Sequence, residues 1–374
     1  MLFRSKKHAN VHVIMTENAC NFINPITFET LTGNKCLVDT FDRNFQFNVE
    51  HVSLAKLADI FLVAPASADV IGKIANGIAD DMLTTTIMAC KCPKLISPAM
   101  NTNMFTNPIV QDNLKKLEHY GYEIIQPDSG YLACGDTGAG KMPSEQVLLN
   151  YILRTIAKDK DMTGIKLTVT AGPTREKLDP VRFLSNNSTG KMGYAIAKMA
   201  MLRGADVTLI SGKVSLEPVP FVKMVDIVSA EDMYNAVIKS AKDADIIIKA
   251  AAVADYRPSD VSDEKIKKKD GDMSIPLERT KDIIGTLGSS KRDGLFLCGF
   301  SMETEHMLDN SKVKLTKKNL DMIVANNVKV AGAGFGTDTN VVTVITKDAV
   351  EELPMMSKEE VADALLDRIM KARQ

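Results

Sequence analysis

The chain has 374 residues, with 45% hydrophobic and 25% charged side chains, which is long for a single hydrophobic core and ordinary for two soluble globular domains. A formal net charge of -1, no Trp and 5% aromatic residues exclude a long-range field or a stacking platform for nucleic acid, so an anionic ligand has to meet a local basic cluster. No apolar run approaches the roughly 18 residues of a membrane span, and six cysteines with no leader peptide point to a reducing cytoplasm rather than a disulfide framework.

In chain order, "VHVIMT" (11–16), "ADIFLVAPA" (58–66), "PKLISPAM" (93–100) and "YEIIQP" (122–127) read as short buried strands alternating with helical patterns. A second series follows: "KLTVTAGPT" (166–174), "DVTLISG" (206–212), "FVKMVDIVS" (221–229), "DIIIKAAAVADY" (245–256), "LFLCGFSME" (295–303) and "MIVAN" (322–326). Runs apolar on both faces belong in parallel sheets covered by helices on each side, so the predicted class is α/β throughout, as two three-layer domains. The charged stretch Arg154–Gly164 separates the series. Domains are therefore predicted at 1–158 and 164–374. "MLFRSKKHAN" reads as the last turns of a helix, so the central first strand and phosphate-binding loop usual for such a domain are expected to be missing.

In open parallel sheets ligands bind beyond the carboxyl ends of the strands. His51 opens a helical pattern, and a helix N-terminus favours neutral imidazole, able to act as a base. Asn101 lies just past a strand in "SPAMNTNMF", where a carboxamide can hold a carboxylate or can simply make a turn. The glycine-rich segment Asp128–Met142 reads as a mobile lid with Cys134 as its reactive group, or as a surface loop with an idle thiol. Cys90 and Cys92 lack a second pair or a nearby His and predict no metal site. His8, His12, His119 and His306 have no context that suggests a role.

In the second half, Gly172–Gly193 links a strand to a helix through a long polar stretch, although such connections usually take about 2–6 residues. It is either a disordered insertion or a ligand cradle. It is not a phosphate loop of the Walker type, because Gly190-Lys191 lacks the upstream spacing and the following Ser or Thr, and it carries no GxGxxG. "EKIKKKDGD" places Lys265, Lys267 and Lys268 shortly after the strand-end Asp255. A lysine run is usually a solvated face, but beside a strand-end carboxylate it can hold a nucleotide.

His51 with "LAKLAD", "PAMNTNM" and "ACGDTGAGKM" together closely resemble the flavin-dependent phosphopantothenoylcysteine decarboxylases. The resemblance implies a flavodoxin-like FMN domain, homo-oligomeric with sites between subunits. It assigns His51 as base, Asn101 to the substrate carboxylate, Met104 to substrate binding, Cys134 as proton donor, and Thr16, Ser67 and Thr84 to FMN. Chemically, oxidising the thiol carbon of a cysteinyl substrate creates the electron sink that lets CO₂ leave, and the enethiol that results needs a proton for its reduction. The family's opening strand and "GGIAAYK"-like loop are absent, and a misassigned start Met is expected. Phe105 where Trp is common and Lys141 where Arg is common keep a ring and a cation.

Gly172–Gly193 likewise resembles the signature "GPTxExxDPVRxxSNxSxGKMG" of phosphopantothenate–cysteine ligases, which implies a Rossmann-like ligase domain and a ligand cradle. The resemblance extends to "AAAVADYRP", the K-x-K-K clamp, "GFSMET" and "KLTKKNLDMIVAN". It implies that CTP activates the acid as an acyl-cytidylate. Asn186 holds that intermediate, Lys265 stabilises phosphate charge, and Asp255 carries Mg²⁺. Ala250, Ala251, Lys281, Asp282, Ile283, Ile284, Phe300, Lys314 and Lys318 line the CTP site. Both halves together imply a bifunctional cytoplasmic enzyme of coenzyme A synthesis acting on small molecules. The alternatives are a ligase with a damaged flavin half, a nicotinamide-dependent oxidoreductase, or a non-catalytic protein of flavodoxin-like fold.

Overall fold

Polar turns and short apolar runs alternate in both halves, and the backbone follows them. The structure is a computed structural model that describes residues 9–41, 50–131, 135, 137–268, 273–303, 307–327, 334 and 336–373. Its contacts divide the chain into two units, Met1–Ala157 and Lys158–Gln374.

In the first unit β1 (Phe61–Ala66), β2 (Lys94–Pro98) and β3 (Glu123–Ile124) form a parallel sheet in that order. Side chains alternate across it. Val63 and Ile96 pack with Ile71 and Ile74 of the helix Ala68–Ala75 and with Leu114 and Leu117 of the helix Pro108–His119. Leu62 and Leu95 face the other way, with Leu148 and Tyr151 of the helix Glu145–Ile156. Helices therefore cover both faces. Local chemistry starts each helix: Ser67 and Ser144 cap theirs, and Asn107 caps one that begins with Pro108. The segment "VHVIMT" forms no full strand; it makes one parallel bridge, Ile14 to Leu37. The segment predicted as a glycine-rich lid has a hairpin base, β4 (Asp128–Tyr131) against β5 (Thr137–Lys141).

The second unit is built on an eight-stranded sheet. Its strands are β6 (Lys166–Ala171), β9 (Asp206–Ser211), β10 (Lys223–Asp226), β11 (Ile246–Lys249), β14 (Phe296–Glu303), β15 (Met322–Asn327), β16 (Thr339–Ile345) and β17 (Val350–Ser357). They lie in the order β10-β9-β6-β11-β14-β15-β16-β17. The first six are parallel, with the doubly wound order 3-2-1-4-5-6, whose winding reverses between β6 and β11. The antiparallel β16 and β17 extend the sheet beyond the strands read from sequence. In β17 Pro354 and a mostly exposed face leave little apolar signal, and the edge position tolerates the missing donor. The hairpins β7 (Arg175–Lys177) with β8 (Phe183–Ser185), and β12 (Tyr256–Pro258) with β13 (Leu277–Arg279), fold out of the loops after β6 and β11.

The helix Lys191–Leu202 lies tightly on β6. A Cβ at Gly193 would stand 2.6 Å from Ala171 Cβ and 2.9 Å from Thr170 O. Helix propensity alone favours Ala over Gly by about 1 kcal/mol, but overpacking against backbone costs about 1–3 kcal/mol, so sterics win. Gly193→Ala is therefore expected to lower the melting temperature of the second unit. Gly72→Ala, whose Cβ meets nothing closer than Asn113 Nδ2 at 3.8 Å, is expected to raise that of the first. Equal shifts in calorimetry would refute the packing argument.

Candidate active sites

In the first unit the carboxyl edge of the sheet gathers the polar residues. Ser67 leaves β1 and its Oγ accepts from Val70 N–H at 3.3 Å. Beyond β2, Asn101 caps the short helix Thr102–Phe105, with Oδ1 accepting from Asn103 N–H at 2.8 Å. Met104, on the same turn, is half exposed. β5 is seated on this loop: Met100 N–H donates to Gly140 O at 3.0 Å. At φ 137° a Cβ on residue 140 would lie 2.1 Å from Met100 O, so only glycine permits the contact. The hairpin is thereby rooted beside Asn101. Cys134 lies outside the described residues.

His51 is the second residue of the helix Glu50–Leu57, and its side chain makes no hydrogen bond or ion pair with any described residue. Thr16 caps the turn Glu17–Asn21 through Ala19 N–H. Thr84 is fully buried, and both its N–H and its hydroxyl donate to Asp81 Oδ1, at 2.7 and 2.8 Å. Those donors are engaged in a helix cap, which the sequence reading overlooked. Two hydroxyls it did not single out, Ser97 Oγ at the end of β2 and Thr102 Oγ1 beside Asn101, are buried without a hydrogen-bond partner among the described residues.

In the second unit the loops after β6 and β11 meet at the point where the winding reverses. Ala252 N–H donates to Gly172 O at 3.0 Å, and Thr174 N–H donates to Ala252 O at 3.2 Å. Asn186 Nδ2 donates to the same Ala252 carbonyl at 3.1 Å. The side chains of Thr170 and Thr174 accept from Ala251 and Ala254 N–H. Asn186 also lines a cleft of about 490 Å³ with Pro173, Arg175, Ser188 and Lys213. Arg175 lies over the Phe183 ring at 4.6 Å, and its Nε is buried without a partner among the described residues. Cleft cations at Arg175 and Lys213 suit an anionic substrate. Neither was picked out from sequence, because an Arg or Lys in a loop looks like any solvated charge.

The lysine run is anchored at its root. Asp179, 2% exposed, accepts from Val181 and Arg182 N–H, from the Arg182 guanidinium and from Ile266 N–H. The Arg182 hydrogen bond holds the Asp179 carboxyl well below the usual range despite its burial, with the backbone donors adding to it. Arg182 also donates to Ile266 O at 2.9 Å. The turn between β7 and β8 thus grips the chain beside Lys265, which is itself exposed.

Other predicted nucleotide residues fall into two groups. Lys318 pairs with Asp282 at 2.8 Å, and the electrostatic neighbours of Lys249, at the end of β11, are Lys318, Asp282, Asp255 and Lys314. Lys281, by contrast, pairs with Glu231 at 3.1 Å and lies 5.0 Å from the Tyr234 ring. Ile283 and Ile284 are core side chains, so only their backbone remains for a ligand. Phe300 is half buried on β14, and Ala250 and Ala251 are partly exposed just past β11, with the Ala251 N–H donating to Thr170 Oγ1. Asp255 is exposed, and among the described residues no cluster of three His, Cys, Asp or Glu could hold a metal unaided. No described helix is long and apolar enough to cross a membrane.

A family model described as "DNA/pantothenate metabolism flavoprotein C-terminal domain" matches residues 162–372, and one described as "Flavoprotein" matches residues 1–157. The chain is 47% identical to the coenzyme A biosynthesis bifunctional protein CoaBC of Bacillus subtilis (strain 168), over 96% of this chain and 90% of that protein. Identity to the protein of the same name from Escherichia coli (strain K12) is 40%, over 97% and 90%. A cysteine/cysteine sulfinic acid decarboxylase from an unknown prokaryotic organism is 42% identical over 93% of this chain and 99% of that protein. By this near full-length similarity the chain belongs to the CoaBC family of coenzyme A biosynthesis bifunctional proteins.

Proposed function

We propose that the second unit joins 4'-phosphopantothenate to cysteine at the expense of CTP, and that the first unit decarboxylates the product, 4'-phosphopantothenoylcysteine, to 4'-phosphopantetheine. The observation that carries the ligase half is the junction where the winding reverses, with Asn186 hydrogen-bonded to Ala252 beside a cleft walled by Arg175 and Lys213. A carboxylate accepts an amine only after its oxygen becomes a leaving group. Its oxygen attacks the α-phosphate of CTP, pyrophosphate leaves, and the cysteine amine then displaces CMP from the acyl carbon while losing a proton. Asn186 holds the acyl-cytidylate, and Lys265 meets the charge that grows on phosphate. Asp255 alone suits Mg²⁺, which keeps most of its ligands as phosphate and water oxygens.

In the first unit the buried hydroxyls of Ser97 and Thr102, without a partner among the described residues, and the cap at Ser67 fit a polar ligand along the carboxyl edge. That supports FMN, with Ser67 and Thr16 on its side of the site. FMN, when bound, supplies the reversible two-electron acceptor that decarboxylation of a cysteinyl group needs. Asn101 orients the carboxylate, His51 is the base, and Cys134 returns a proton to carbon. The match of residues 1–157 to a flavoprotein model favours two working halves over a ligase alone. Exposed Phe22, Phe41 and Ile109 in this unit support a homo-oligomer in which a second copy covers them.

Asn186→Ala is expected to cut amide formation by about 10²–10³-fold while decarboxylation of supplied phosphopantothenoylcysteine continues; retained ligase turnover would remove Asn186 from the site. Cys134→Ser is expected to release CO₂ yet accumulate a product two hydrogens lighter than 4'-phosphopantetheine, resolved by mass spectrometry. Full reduction by that variant would exclude the thiol as proton donor. The same assay run with free cysteine and cysteine sulfinate is expected to give no turnover, and preferential decarboxylation of either would replace the proposed substrate.

A further inference from the structure

β11 brings to the reversal point a charge that the ligase signature does not use. Side chains alternate along this strand, so Lys249 shares a face with Ile247, which packs in the core cluster that also holds Ile283, Ile284 and Leu320. Lys249 thus stands at the rim above that core. Its register partners are Thr170 of β6 and Gly299 of β14, the strands on either side of β11. Its electrostatic neighbours are Lys318 and Lys314 from the helix Met307–Lys317 and its end, Asp282 from the cap of the helix Ile283–Ser289, and Asp255 from the loop after β11.

The Lys249 side chain is partly buried and makes no hydrogen bond or ion pair with any described residue, while its backbone belongs to the ladder with β6 and β14. Asp282 is engaged with Lys318 at 2.8 Å. Lys318 is thus already paired, whereas the Lys249 ammonium stands at the strand end with no side-chain partner of its own among the described residues. Burial pushes the Lys249 ammonium below its usual value, and Lys318 and Lys314 push it further, against the pull of Asp282 and Asp255. Holding an unpaired cation in a partly desolvated place is costly, and a bound polyanion removes that cost. Surface lysines gain far less from the same contact, because solvent and salt screen them.

We propose that Lys249 is a phosphate-binding residue of this chain's nucleotide site, its ammonium meeting the triphosphate of CTP beside Lys314 and Lys318. The proposal rests on the reading of the second unit as a CTP-dependent ligase. The phosphate of 4'-phosphopantothenate shares this chemistry, and separate ligands distinguish the two sources.

The test is titration calorimetry on the full chain with Mg²⁺, comparing wild type with Lys249→Met, Lys249→Gln and Lys249→Arg, and using CTP, inorganic pyrophosphate, cytidine and 4'-phosphopantothenate as titrants. Methionine and glutamine are expected to weaken CTP and pyrophosphate by about 10–100-fold, with cytidine and 4'-phosphopantothenate unchanged, and arginine is expected to restore most of the loss. Decarboxylation of supplied substrate should not change. Unaltered CTP affinity in both neutral variants would overturn the proposal, and so would an equal loss for cytidine, which would mark a structural role. A loss confined to 4'-phosphopantothenate would move Lys249 to the other substrate. Wild type that binds no CTP would sink the ligase reading itself, whatever the variants do. If Lys249→Met melts early, Lys249→Gln, which keeps length and polarity, decides the outcome by the same criteria.

Discussion

The second unit depends on hydrogen bonds that keep β6 and β11 joined after the regular sheet ends. Ala252 is held on both sides, its N–H by Gly172 O and its carbonyl by Thr174 N–H and Asn186 Nδ2. In a doubly wound sheet the crossovers on either side of the reversal run in opposite directions and leave a crevice between them. Here that crevice is bridged at its base, so the two signature loops share one rigid floor. Rigid placement matters because a carboxylate, a phosphate and an amine must meet in sequence, and misplacement by an ångström is expensive in rate.

Around that floor the charges are distributed by distinct elements. Asp179 and Arg182 anchor the chain beside Lys265, while Asp282 caps one helix and pairs with Lys318 at the end of another. The arrangement separates a fixed cationic wall from a lysine carried on an excursion whose stem is β12 and β13. The first unit solves a similar problem by steric means. Glycine at position 140 lets β5 lie on the Met100 carbonyl, which seats the hairpin against the Asn101 loop without a side chain between them.

Most of the parallel strands were legible because they are short, apolar on both faces and punctuated by Gly, Pro and Asn. "VHVIMT" looked alike but pairs only with Leu37 among the described residues, since strand formation needs a neighbour that local sequence cannot supply. β17 was illegible for the opposite reason, an edge strand with few buried residues. Site residues divide in the same way. Asn186 stood out through its motif, whereas Arg175 and Lys249 acquire meaning only from what lies around them. Thr84 was assigned to FMN by resemblance alone, and its N–H and hydroxyl also donate to Asp81 three residues earlier, a helix cap that the family motif does not reveal.

The electrostatic picture is one of weak net charge and strong local order. A chain with net charge -1 places Lys249, Lys314 and Lys318 near one strand end, which favours a polyanion there without a long-range field. Activation of the acid before the amine arrives is the central claim, and isotope exchange tests it most directly. With 4'-phosphopantothenate, CTP and Mg²⁺ but no cysteine, labelled pyrophosphate should pass into CTP at a rate that depends on the acid. Exchange that requires cysteine, or none at all in a chain that still forms the amide, would contradict an acyl-cytidylate at this site.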